Sequence, residues 1–112
     1  MKELITGKCV PCEKGAPRLT QKQLEDLKPQ IPDWEIIETK GIKKLRKIFR
    51  FKNFASALAF VNQIGDLAEA EFHHPTIILD WGRVEVIWVT HKIKGLHGND
   101  VIMAARTDAL LP

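Results

Sequence analysis

The chain has 112 residues, 45% of them hydrophobic and 28% charged, the composition of one ordinary globular domain and not of a disordered chain. Lys and Arg number 17 against 14 Asp and Glu, a net charge of +3. That is a weak footprint for a nucleic-acid binder, and no nucleic-acid motif accompanies it. Met1 to Gly7 lack the apolar segment of a signal peptide, and the longest uncharged run, Phe54 to Gly65, falls short of the ~20 apolar residues of a membrane span. A soluble, cytoplasmic protein with no membrane partner is expected.

Residues 1–18 read as an N-terminal arm, and residues 19–112 as the single folded domain. The arm holds both cysteines, Cys9 and Cys12, in C-x-x-C spacing. A zinc ribbon needs a second ligand pair, and there is none. A redox pair sits between a strand and a helix, whereas Pro11, Gly15 and Pro17 surround this one. An inert reduced pair, a partial or intersubunit metal site and a redox pair all stay open.

The domain opens on a helix. Thr20 and Gln23 have capping-box spacing, with Leu19 and Leu24 placed as a hydrophobic staple. Pro29 ends the helix. Trp34 to Thr39 is rich in β-formers, Lys40-Gly41 supplies a turn, and Lys43 to Phe51 alternates, so a hairpin follows. The basic cluster Lys43, Lys44, Arg46, Lys47 and Arg50 lies on that second strand. It reads as a solvated strand face, with attraction for an anionic partner as the sharper alternative.

Asn53 caps a long helix, in which Phe54, Ala57, Leu58, Val61, Ile64, Leu67 and Ala68 recur at the helical period up to about Glu71. Gly65 costs stability there unless something packs closely against it. Thr76 to Leu79, a turn over Asp80 to Arg83, and the alternating run Val84 to Thr90 form a second hairpin. Gly95 and Gly98 mark a loop before a last helix, Asp100 to Leu111. The expected fold is α+β, in the order α-β-β-α-β-β-α: a four-stranded antiparallel sheet with three helices packed on one face.

All four histidines lie between residues 73 and 97. His73 and His74 stand where the long helix gives way to a strand, and Pro75 forces the exit. His91 ends the second alternating strand, and Asp100 opens the last helix. These junctions can converge at one rim of the sheet. Adjacent histidines in extended chain diverge, and no metal-ligand spacing is present. Unligated imidazoles, with an ordinary pKa near 6.5, suit acid–base work in which one proton is given and another taken.

At this point the chain resembles a known family, the pterin-4a-carbinolamine dehydratases. The resemblance rests on Glu69, His73-His74-Pro75, Trp81, His91 and Asp100 at the family's spacing. Pro32-Asp33-Trp34, Phe51-Lys52-Asn53-Phe54 and Gly95-Leu96 add to it, and it spans roughly residues 19–110. One departure is His97, where the family has Ser or Thr as a helix cap; Asn99 is the expected substitute. The resemblance implies dehydration of a 4a-hydroxytetrahydropterin to the quinonoid dihydropterin, in recycling of the cofactor of aromatic amino-acid hydroxylases. It implies His73 and His91 as acid–base catalysts and His74 and Trp81 at the pterin. Asp100 and Glu69 are supporting carboxylates, each with an ordinary helical alternative: Asp100 as a first-turn acid, Glu69 as a surface salt bridge. For Trp81 the alternative is an ordinary core aromatic. No metal and no cofactor are implied. The partners implied are the pterin substrate, a second copy in a homodimer or homotetramer, and a functional link to such a hydroxylase.

Two rivals remain. One is a non-enzymatic dimerisation or assembly cofactor of the same fold. The other is a metal-dependent hydrolase or zinc protein using the histidines or the cysteine pair.

Overall fold

A computed structural model describes Gly7, Cys9 and residues 15–111; Cys12, and with it the C-x-x-C pair as a unit, lies outside the described residues. The first helix, α1 (Gln21–Leu27), starts where the sequence places it. Thr20 accepts from Gln23 N while Gln23 reaches back to Thr20 N, closing the capping box. Pro29 falls in a 3-10 turn, Lys28–Gln30, that ends the helical run.

The strands β1 (Glu35–Thr39) and β2 (Ile42–Arg50) pair antiparallel around Lys40 and Gly41. Both turn residues have positive φ, 52° and 79°, the backbone of a tight hairpin turn whose twist suits the strands. The long helix α2 (Phe54–Glu71) is capped by the Asn53 side chain, which accepts from Ser56 N. Then come β3 (Thr76–Asp80) and β4 (Arg83–Trp88), and last α3 (Gly98–Asp108).

The sheet order is β1-β2-β4-β3, with every neighbouring pair antiparallel. Leu45, Phe49, Val84, Val86 and Trp88 point to one face. There they meet Leu24 of α1, Phe60 and Ile64 of α2, and Val101, Met103 and Ala104 of α3 in one core. The α+β architecture is therefore the one expected. The apolar stripe of α2 differs in detail. Phe60 is buried against Phe49 and Phe51, with ring centroids 4.8 and 5.2 Å apart, while Phe54 and Leu58 stay 44% and 40% exposed.

The basic run on β2 is not a uniform solvated face. Arg46 points to the open face, bridging Glu35 of β1 at 3.0 Å and Glu85 of β4 at 2.9 Å. Lys47 points the other way, 2.7 Å from Asp108 of α3 and 4.6 Å over the Phe49 ring. Asp108 also accepts from the Trp34 indole at 3.1 Å. No described helix is long and apolar enough to cross a membrane.

Candidate active site

Strands β3 and β4 run in opposite directions, so the start of β3 and the end of β4 share one rim of the sheet. The last turn of α2 and the first turn of α3 meet there. Glu71 ends α2, and Phe72 turns the chain in the left-handed conformation, φ 53°. Phe72 N and His73 N both donate to Ala68 O, capping the helix. This turn delivers His73 to the rim.

His73 Nε2 lies 2.7 Å from Asp100 Oδ1, and Asp100 has no exposed surface. A carboxylate only accepts, so the imidazole proton is on Nε2. The other oxygen of Asp100 takes two more donors: the Thr90 hydroxyl at 2.7 Å and His97 N at 2.9 Å. A buried carboxylate needs such partners to be tolerated. The His73 ring also stacks on Trp88, with centroids 5.6 Å apart and planes 13° from parallel. Trp88 is held in turn by the Thr107 hydroxyl, which accepts from its indole at 3.2 Å and donates to Met103 O at 2.6 Å. The imidazole is thus fixed at one edge and on one face.

Strand β4 ends at Trp88, sooner than its alternation suggests. Thr90 pairs with Gly95 to close a small loop, and His91 begins a 3-10 turn, His91–Ile93, inside it. His91 is exposed. It neighbours the residue that binds Asp100, which brings its backbone to the same rim. His74 is also exposed and pairs with Glu69, so the carboxylate expected to support a histidine meets this one.

Trp81 is not brought to this cluster. It stands in the turn at the far end of β3, about 15 Å away at the rise of a strand, and is 68% exposed. It is therefore not a core aromatic either. The cap of α3 also differs from expectation. His97 itself is the cap: its Nδ1 accepts from Asn99 N at 3.0 Å, and Asp100 completes a capping box by accepting from His97 N. An imidazole here does the work of a hydroxyl, and Asp100 serves helix and histidine together.

Sequence reasoning missed Thr90 and Trp88. Thr90 carried a usable signal, a hydroxyl beside His91 on the core-facing phase of the strand. Among the described residues, no group of three His, Cys, Asp or Glu side chains is arranged to hold a metal.

Fold and rim together define a small α+β protein with an ordered histidine–carboxylate pair open to one side. The family model for pterin 4 alpha carbinolamine dehydratase matches residues 17–110, and the chain belongs to that family. Two relatives cover nearly its whole length, both named "Putative pterin-4-alpha-carbinolamine dehydratase". One, from Nitrosococcus oceani, is 51% identical over 99% of this chain and 98% of its own. The other, from Syntrophotalea carbinolica, is 52% identical over 99% of each. Among solved structures, a "transcriptional coactivator/pterin dehydratase" from Brucella melitensis is 28% identical. It has a TM-score of 0.77 and covers 86% of this chain and 100% of that one. A pterin dehydratase-like protein described as a RuBisCO assembly factor of the alpha-carboxysome is 26% identical. Its TM-score is 0.61, over 70% of this chain and 88% of that one.

Proposed function

We propose that this protein is a hydro-lyase that converts a 4a-hydroxytetrahydropterin to the quinonoid dihydropterin and water by histidine acid–base catalysis, in tetrahydrobiopterin recycling. The pairing of His73 with the buried Asp100 carries the reading, with the family membership behind it. The 4a carbon–oxygen bond breaks as the hydroxyl takes a proton and leaves as water. The N5–H proton passes to a base, and its electron pair forms the 4a–N5 double bond. His73 and His91 fill the acid and base roles in this proposal.

His73 suits one of those roles because Asp100 holds it in one tautomer and stabilises its charged form, as a carboxylate partner does. His91 suits the other because it is exposed beside the same rim. His74, steered by Glu69, binds and orients the pterin. Trp81 has no part in this site within one chain. The reaction needs only proton transfers, so the proposal calls for no metal or cofactor. A cytoplasmic homo-oligomer coupled to an aromatic amino-acid hydroxylase is the proposed setting.

The test is the rate of dehydration of freshly generated 4a-hydroxytetrahydropterin, followed by absorbance. The protein should accelerate it in the presence of chelator. His73→Ala and His91→Ala should each lower turnover by about 10²–10⁴-fold, and His74→Ala should chiefly raise KM. Absence of acceleration by the wild type would overturn the dehydratase reading in favour of an assembly role, and loss on chelation would point to metal chemistry.

A further inference from the structure

His73 and Asp100 belong to different elements, and their geometry depends on how the end of α2 sits against the start of α3. The turn that carries His73 is not a comfortable one. Phe72 holds a left-handed conformation without being glycine, which crowds its Cβ against the following carbonyl oxygen. Its own side chain is 88% exposed and anchors little. Such a conformation persists where the surroundings over-determine it.

The residue before it supplies an anchor. Glu71 sends one oxygen to Arg106 of α3, Oε2 to Nη1 3.3 Å, and with the other accepts the backbone N–H of Cys9 at 2.8 Å. Both side chains are mostly shielded, 13% exposed for Glu71 and 28% for Arg106. Cys9 touches α3 as well, with its sulfur 4.0 Å from Asn99 O. Glu71 is two residues before His73, and Asn99 immediately precedes Asp100. Cys9 therefore ties the end of α2 to the first turn of α3, and Arg106 ties it to the last turn, by contacts that do not involve the imidazole.

Cys9 serves here through its backbone and its packing. Burial, and next the charge of Glu71, push its thiol up to about 11, so at neutral pH it is a neutral thiol and a poor nucleophile.

We propose that Glu71 and Arg106, joined by the arm at Cys9, are positioning residues: a brace across α2 and α3 that sets the His73–Asp100 geometry. The inference deepens the dehydratase reading and rests on it for its kinetic readout, though not for its spectroscopic one. Displacement by an ångström at a reacting group can cost about 10²-fold in rate.

The experiment compares Glu71→Ala, Arg106→Ala and Arg106→Lys with wild type in the full-length chain. The first two should lose about tenfold or more in kcat while KM moves by no more than about twofold, the pattern of lost transition-state geometry. Arg106→Lys, which keeps the charge, should recover most of the rate. In parallel, ¹⁵N signals of the His73 ring should report one tautomer in wild type and a mixture in the two alanine variants. Folded alanine variants with wild-type kcat and unchanged His73 ring signals would overturn the brace. If Glu71→Ala does not fold, the two Arg106 variants decide. If wild type proves inactive on the pterin, the dehydratase reading falls, and the ring signals alone decide the brace.

Discussion

Asp100 takes three hydrogen bonds from three segments of chain while showing nothing to solvent. Losing one donor from such a group leaves a buried acceptor short, at a cost of about 1–3 kcal/mol. Thr90→Val should therefore lower stability by about that amount and reduce kcat, because the carboxylate is freer to rotate away from His73. Thr90→Ser, which keeps the hydroxyl, should restore both. Equal melting temperatures and rates for the two variants would show that the hydroxyl is idle. At this scale the sequence was readable wherever chemistry is tied to spacing. The histidine doublet before proline and the aspartate opening a helix are unusual enough to notice. A tryptophan in an alternating strand is not, and a threonine beside a histidine is only a faint sign, since both are ordinary β-formers and only the third dimension shows what their polar atoms meet. His97 was noticed for standing where a hydroxyl was expected. Its imidazole nitrogen, facing the Asn99 N–H, is itself the cap.

The elements follow from local rules that act within a few residues. The Thr20–Gln23 box, the Asn53 cap and the Lys40-Gly41 turn all form where the chain writes them, because each needs only its neighbours. The buried stripe of α2 was harder to read. Phe54 and Leu58 fit the helical period, but a helix period does not say which aromatic ring the sheet has room for, and Phe49 and Phe51 take Phe60. The open face of the sheet shows a similar long-range effect. Glu85 is held below the usual carboxylate range mainly by its hydrogen bond from Arg46, with Arg83 helping and partial burial opposing. A carboxyl lowered in the folded state contributes stability above its unfolded pKa, near 4.3, and loses it as pH falls through the lower folded value. The melting temperature of wild type should fall over that acid range, and Glu85→Gln should flatten this part of the profile. A variant profile parallel to wild type down to the lowest pH would remove Glu85 from the account.

For the molecule as a whole, the outer side of α2 bears on the proposed homo-oligomer. Phe54, Leu58 and Gly65 lie on one side of the helix at spacings of four and seven. The two apolar side chains are well exposed, and a Cβ at Gly65 would meet nothing within 4 Å among the described residues of the chain. A glycine there costs roughly 1 kcal/mol against alanine and brings the protomer no close packing in return. A second copy approaching that face would use all three. If the proposed oligomer forms through that face, Leu58→Glu lowers the sedimentation coefficient from the wild-type value to that of a smaller species; an unchanged coefficient would take this face out of the proposal. The long-range placement of such faces is the part of the fold least legible in sequence, because exposure is a property of the assembled layers. The last helix has a mechanical consequence of its own. Helix α3, about 16 Å long at 1.5 Å per residue, is clamped at both ends. Asp100 binds it to the rim at its start, and at its finish Asp108 binds it to Trp34 and Lys47 from the other half of the chain. A beam pinned twice has little freedom to slide or tilt. Any give the rim offers to an incoming ring belongs to the exposed His74 and to the short turn that begins at His91.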